Sequence, residues 1–71
     1  MTHYTHPHVG HLAGEVYRCL EREGRMMSVL DVSLKAKLKP WDVLLGFGWL
    51  ACEDKIKLHV SFAALTAELN K

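Results

Sequence analysis

Seventy-one residues suffice for one domain, and a chain this short buries only about 60% of its unfolded surface. At 49% apolar residues it is too hydrophobic for disorder, and it carries more apolar surface than so small a domain hides, which points to a homodimer or a protein partner. A net charge of +1 argues against a broadly basic nucleic-acid binder, no run approaches the roughly 18 apolar residues of a bilayer span, and the polar, His-rich start has no leader-like apolar core, so a cytoplasmic setting is expected.

In chain order, residues 1–8 read as a flexible His-rich arm and residues 9–71 as one domain. Val9, Leu12, Ala13, Val16, Tyr17 and Leu20 form one stripe of an amphipathic helix, with Glu15, Arg18, Glu21 and Arg22 largely opposite. Gly24 is a C-terminal stop. Gly14 inside the helix costs about 1 kcal/mol relative to Ala, a cost that a close helix crossing would explain. Met26 and Met27 form a short extended link. Ser28 with Asp31 has the spacing of a capping box and opens a second helix, to about Ala36, that offers Val29, Leu30, Val32 and Leu34 to the core. Leu38 is expected to pack in the turn that follows.

Pro40 suits the first position of a third helix, which runs to about Glu53. Trp41, Leu44, Leu45, Gly48 and Cys52 make one face of it. Val43, Phe47, Leu50 and Ala51 make most of the remainder apolar too, so the helix is expected to be buried on more than one side. A strand over Ile56–Val60 follows, with Ile56, Leu58 and Val60 on one side and Lys57 and His59 on the other. In the tail, Leu65, Ala67 and Leu69 alternate as a returning strand would, while Ser61 and the alanines after it also suit a short helix. The strand is favoured, because a lone strand leaves its edge unpaired.

Two blocks carry a family resemblance. One is Val9-Gly10-x-x-Ala13-Gly14-x-Val16-Tyr17-x-x-Leu20-x-x-x-Gly24; the other is Gly48-Trp49-Leu50-Ala51-Cys52-Glu53-Asp54-Lys55-Ile56. Together they resemble a group of small winged helix-turn-helix domains of bacteria and archaea, catalogued as a domain of unknown function. The resemblance implies an α+β fold of three helices and a small antiparallel β-wing, and carries no settled activity. Cys52 stands where that family more often has Arg, and Tyr17 where it often has Trp.

Helix-turn-helix readers use Arg, Lys, Asn or Gln on the recognition helix to reach base edges, and residues 40–53 contain none of these. Contact with the nucleic-acid backbone is left to Lys35, Lys37 and Lys39 before this helix and to Lys55 and Lys57 after it. Trp41, Phe47 and Trp49 are the candidate interaction surface. At 100° per residue Trp49 lies about 80° from Trp41, and Phe47 about 200° from Trp49, so the three cannot share one core. Cys19 and Cys52 lack CxxC partners and read as buried free thiols. His3, His6, His8 and His11 would chelate metal only weakly, and His59 reads as a surface residue. There is no nucleophile–base pair, carboxylate pair or phosphate loop, so neither catalysis nor a cofactor is expected. The expectation is a non-enzymatic module of regulatory, nucleic-acid-associated or protein-interaction type; the alternative is homodimerisation or protein contact without nucleic acid.

Overall fold

The computed structural model describes residues 5–70, with the backbone alone at His6. Helix α1 spans His6–Glu23 and starts three residues before the expected Val9. Thr5 caps it. The Thr5 hydroxyl accepts from the His8 N–H at 3.4 Å, the Val9 N–H donates to the Thr5 carbonyl at 2.9 Å, and Pro7 sits in the first turn, where no N–H is needed. Residues 6–8 are therefore helical; the rest of the expected arm, residues 1–4 with His3, lies outside the described residues. Gly24 ends α1 at φ +66°, donating to the Leu20 carbonyl at 2.9 Å.

The link after Gly24 is a two-residue strand, β1 (Met27–Ser28). Its last residue caps α2 (Val29–Ala36). The Ser28 Oγ accepts from the Asp31 N–H at 3.1 Å, and the Ser28 N–H donates to the Asp31 carboxylate at 3.2 Å, completing the expected box. Lys37 ends α2 in the left-handed region, and the Ser33 hydroxyl donates to the Leu38 carbonyl across the turn, holding Leu38 against the core. Helix α3 spans Pro40–Cys52. Past it Asp54 takes φ +61°, the Lys55 N–H returns to the Leu50 carbonyl at 2.9 Å, and the chain enters β2 (Ile56–Val60). The tail is β3 (Leu65–Leu69), a strand rather than a helix.

The three strands are antiparallel in the order β1-β3-β2, with Met27 opposite Ala67 and Ile56 opposite Leu69. One core lies between the helices and the base of this sheet. It is built from Ala13, Val16, Cys19 and Leu20 of α1, Val32 of α2, Val43, Phe47 and Leu50 of α3, and Met27, Ile56 and Ala67 of the sheet.

Two expected core positions are on the surface. Val29, Val32 and Ala36 turn towards α1 and α3, which leaves Leu30 and Leu34 on the outer side of an eight-residue helix, both exposed. Along β2 burial fades from Ile56, through Leu58, to an exposed Val60. The hairpin runs beyond the helices, and Phe62 at its tip touches little else.

Candidate interaction surface

The orientation of α3 about its own axis decides what this molecule shows to a partner. Val43, Gly46, Phe47 and Leu50, at i, i+3, i+4 and i+7, are all buried. Gly46 sets how near α1 can come: a Cβ there would lie 2.8 Å from Val16 Cγ2 and 3.4 Å from both Ala13 Cα and the Leu12 carbonyl oxygen. With that side locked onto α1, the opposite side faces solvent. Trp41 is 67% exposed and Leu44 38%, Gly48 and Cys52 are exposed, and Leu45 is half-buried. The helix is apolar all round as the sequence requires, but it is covered on one side only, not on several.

Beside this face runs a groove of about 520 Å³ between α3 and the start of α1, lined by Val9, Leu44, Leu45, Gly48, Trp49, Cys52 and Glu53. Its lining is almost wholly apolar apart from Glu53. Trp49 forms one wall: its ring edge lies 3.8 Å from where a Cβ on Gly10 would stand, so the indole is half-buried against α1.

The structure thus divides the three aromatic candidates. Trp41 is exposed at the start of the face and Trp49 is a half-buried wall. Phe47, at 0% exposure, belongs to the core and drops out of the surface. Leu44, Leu45, Gly48 and Cys52 take its place. They were recognisable in the sequence as a face, but nothing there marked it as the outward one. Cys52 is exposed rather than buried; Cys19 is buried, and that burial pushes its thiol above the ordinary value of 9.0.

The five candidate lysines form two groups. Lys35 (3.8 Å from Glu23), Lys37 and Lys39 surround the turn into α3, and Lys55 (4.0 Å from Glu53) and Lys57 follow its far end. Thirteen helical residues separate the groups by about 20 Å. Between them lie Asp42 in the first turn and Glu53 and Asp54 at the end, so the lysines form no continuous basic ridge along α3. Lys57 stands opposite Glu68, whose carboxylate is 3.0 Å from His59 Nε2 on the exposed face of the hairpin. Among the described residues no three His, Cys, Asp or Glu side chains converge as metal ligands; His3 and the His6 side chain lie outside that set. No described helix is long and apolar enough to cross a membrane.

Three helices followed by a β-hairpin, with a third strand between the first two helices, define a winged helix-turn-helix domain. Residues 1–66 match the model of the winged helix-turn-helix domain family DUF2582, and the chain belongs to that family. A solved chain from work on the DNA recognition and protein interaction domains of HOP2 and its homologous DNA pairing properties is similar in fold. It superposes with a TM-score of 0.74 at 24% identity, covering 82% of this chain and 97% of that one. A search of curated proteins finds no match.

Proposed function

We propose that this winged-helix domain is a non-enzymatic protein-interaction module that docks its partner on the outward face of α3. One observation carries the reading. The helix side that a DNA reader keeps polar and cationic here exposes Trp41, Leu44, Gly48 and Cys52, with acids at both ends. Apolar residues around an exposed tryptophan are the composition of an interface centre, whereas the same residues offer base edges no hydrogen bonds. The HOP2 work concerns both DNA recognition and protein interaction, and the surface of this chain suits the second. Two free thiols are compatible with a reducing compartment.

A second reading rests on the two lysine groups, which flank α3 as if to meet the backbones on either side of a groove. Five phosphate contacts would give a slope of log K against log salt of about −4.5. Titration of the domain into labelled random-sequence duplex at rising salt separates the two readings. The first predicts no saturable binding even at low salt. Binding with that slope would support the phosphate reading and overturn the first.

A further inference from the structure

We infer that the outer edge of β2 accepts one more strand, an extended segment of a partner protein that brings an acidic residue opposite Lys57. This surface is separate from the α3 face. The ladder to β3 fixes which backbone groups are left over. The Ser61 N–H donates to the Ala64 carbonyl and the Asn70 N–H to the Lys55 carbonyl, both at 2.9 Å. Bonded pairs alternate along an antiparallel ladder, so Lys55, Lys57, His59 and Ser61 turn their backbone groups to β3, and Ile56, Leu58 and Val60 turn theirs away. Ile56 is only 4% exposed, so the edge is closed there. At Leu58 and Val60, both exposed, no described residue takes up the outward N–H and C=O groups.

Such a ladder is a template for another strand, and proteins commonly blunt it with proline, a bulge or a covering element. Here the β2–β3 register is unbroken, β2 has no proline, and the hairpin runs beyond the helices. An antiparallel segment on this edge exchanges both backbone bonds with Leu58 and with Val60. Its side chains alternate as those of β2 do, apolar beside Leu58 and Val60 and polar beside Lys57 and His59.

Charge selects the rest. Strand β2 carries Lys57 and His59 and no acid. His59 is held by Glu68 at 3.0 Å, on the β3 side. At the base Lys55 is paired with Glu53 at 4.0 Å, and Asn70 bonds the Asp54 carboxylate at 3.2 Å. Lys57 stands in register with Glu68 but makes no ion pair, so it is the charge left for an incoming carboxylate. A second copy of β2 brings none. The register that uses only Leu58 and Val60 would set the two His59 rings together and Lys57 against Ser61 of the other copy.

The probe is a blocked peptide reading valine, threonine, valine, glutamate, titrated into the isotope-labelled chain and followed by NMR. Antiparallel to β2, its valines meet Val60 and Leu58 and its glutamate meets Lys57. Saturable amide shifts are expected at Leu58 and Val60, with a Kd of about 1 mM or below. Lysine in place of the glutamate is expected to weaken binding about threefold or more, and Lys57→Glu to reverse that order. Val60→Pro removes one outward N–H and spares the ladder to β3. It is expected to raise the Kd about fivefold or more, with the Thr66 and Glu68 amides still protected from exchange.

No saturable shift at several millimolar peptide, equal binding of the glutamate and lysine peptides, or an unchanged Kd in Val60→Pro overturns the inference. So does a wild-type dimer that Val60→Pro splits into monomers, because a second copy then holds the edge. Shifts confined to Trp41, Leu44 and Gly48 put the peptide on the α3 face and also overturn it.

Discussion

Gly46 and Gly48 sit two residues apart on α3, and replacing each by alanine is expected to change stability in opposite directions. A Cβ at Gly46 meets the branched end of Val16 at 2.8 Å, and behind it the α1 backbone at Ala13 and Leu12 at 3.4 Å. Val16 is fully buried and a helix strongly favours one χ1 for valine, so moving its branched end aside is costly. Overpacking of this kind costs about 1–3 kcal/mol, against about 1 kcal/mol gained by replacing a mid-helix glycine. The net effect of Gly46→Ala is a loss of about 1 kcal/mol. At Gly48 the steric cost is absent, and Gly48→Ala is expected to stabilise by up to about 1 kcal/mol. Urea denaturation followed by far-UV circular dichroism, at protein concentrations low enough to keep the chain monomeric, measures both, with m-values expected to match the wild type. If Gly46→Ala is as stable as the wild type, or Gly48→Ala is weaker, then α3 is rotated from the phase described and its apolar outer face is not where we place it.

Phe47→Ala and Trp41→Ala should separate core from surface. Phe47, fully buried, is expected to cost about 3–5 kcal/mol, enough to unfold a domain of this size, while Trp41→Ala changes thermal stability by less than about 1 kcal/mol. Ser28→Ala removes the hydroxyl half of the capping box and is expected to cost about 1 kcal/mol, read as a lower urea midpoint. Thiol titration of the native protein should find Cys52 reacting fast and Cys19 only after denaturant is added. Because burial raises the Cys19 thiol above its ordinary 9.0, the folded state favours the neutral form; stability is intact below pH 9 and falls as pH rises past it, and Cys19→Ala should flatten that fall.

Much of this architecture was legible because it rests on local chemistry with sharp contrast. Ser28 and Asp31 announced a cap, Gly24 a left-handed stop and Pro40 a helix start, while the tail suited a short helix equally well, and only the need of β2 for an edge partner favoured the strand. What stayed hidden was the phase of α3. Periodicity reveals a buried face only by contrast with a polar one, and a helix apolar on every side has none. The Trp41–Leu44–Leu45–Gly48–Cys52 face and the Val43–Phe47–Leu50 face therefore looked equally fit for the core. The tertiary approach of α1 at Gly46 decided between them. Leu30 and Leu34 misled for a related reason: α2 has packed neighbours on one flank, and hydrophobicity alone does not say that the other flank ends in solvent. The early start of α1 was encoded by Thr5 and Pro7, a weak signal set among the histidines.

The central claim, that the outward face of α3 takes up protein and not DNA, is tested most directly by following the Trp41 indole and the Leu44 and Gly48 amides by NMR while random-sequence duplex is added at low salt. The account predicts that these resonances stay in place. Saturable shifts centred on Trp41, Leu44 and Gly48 would contradict it.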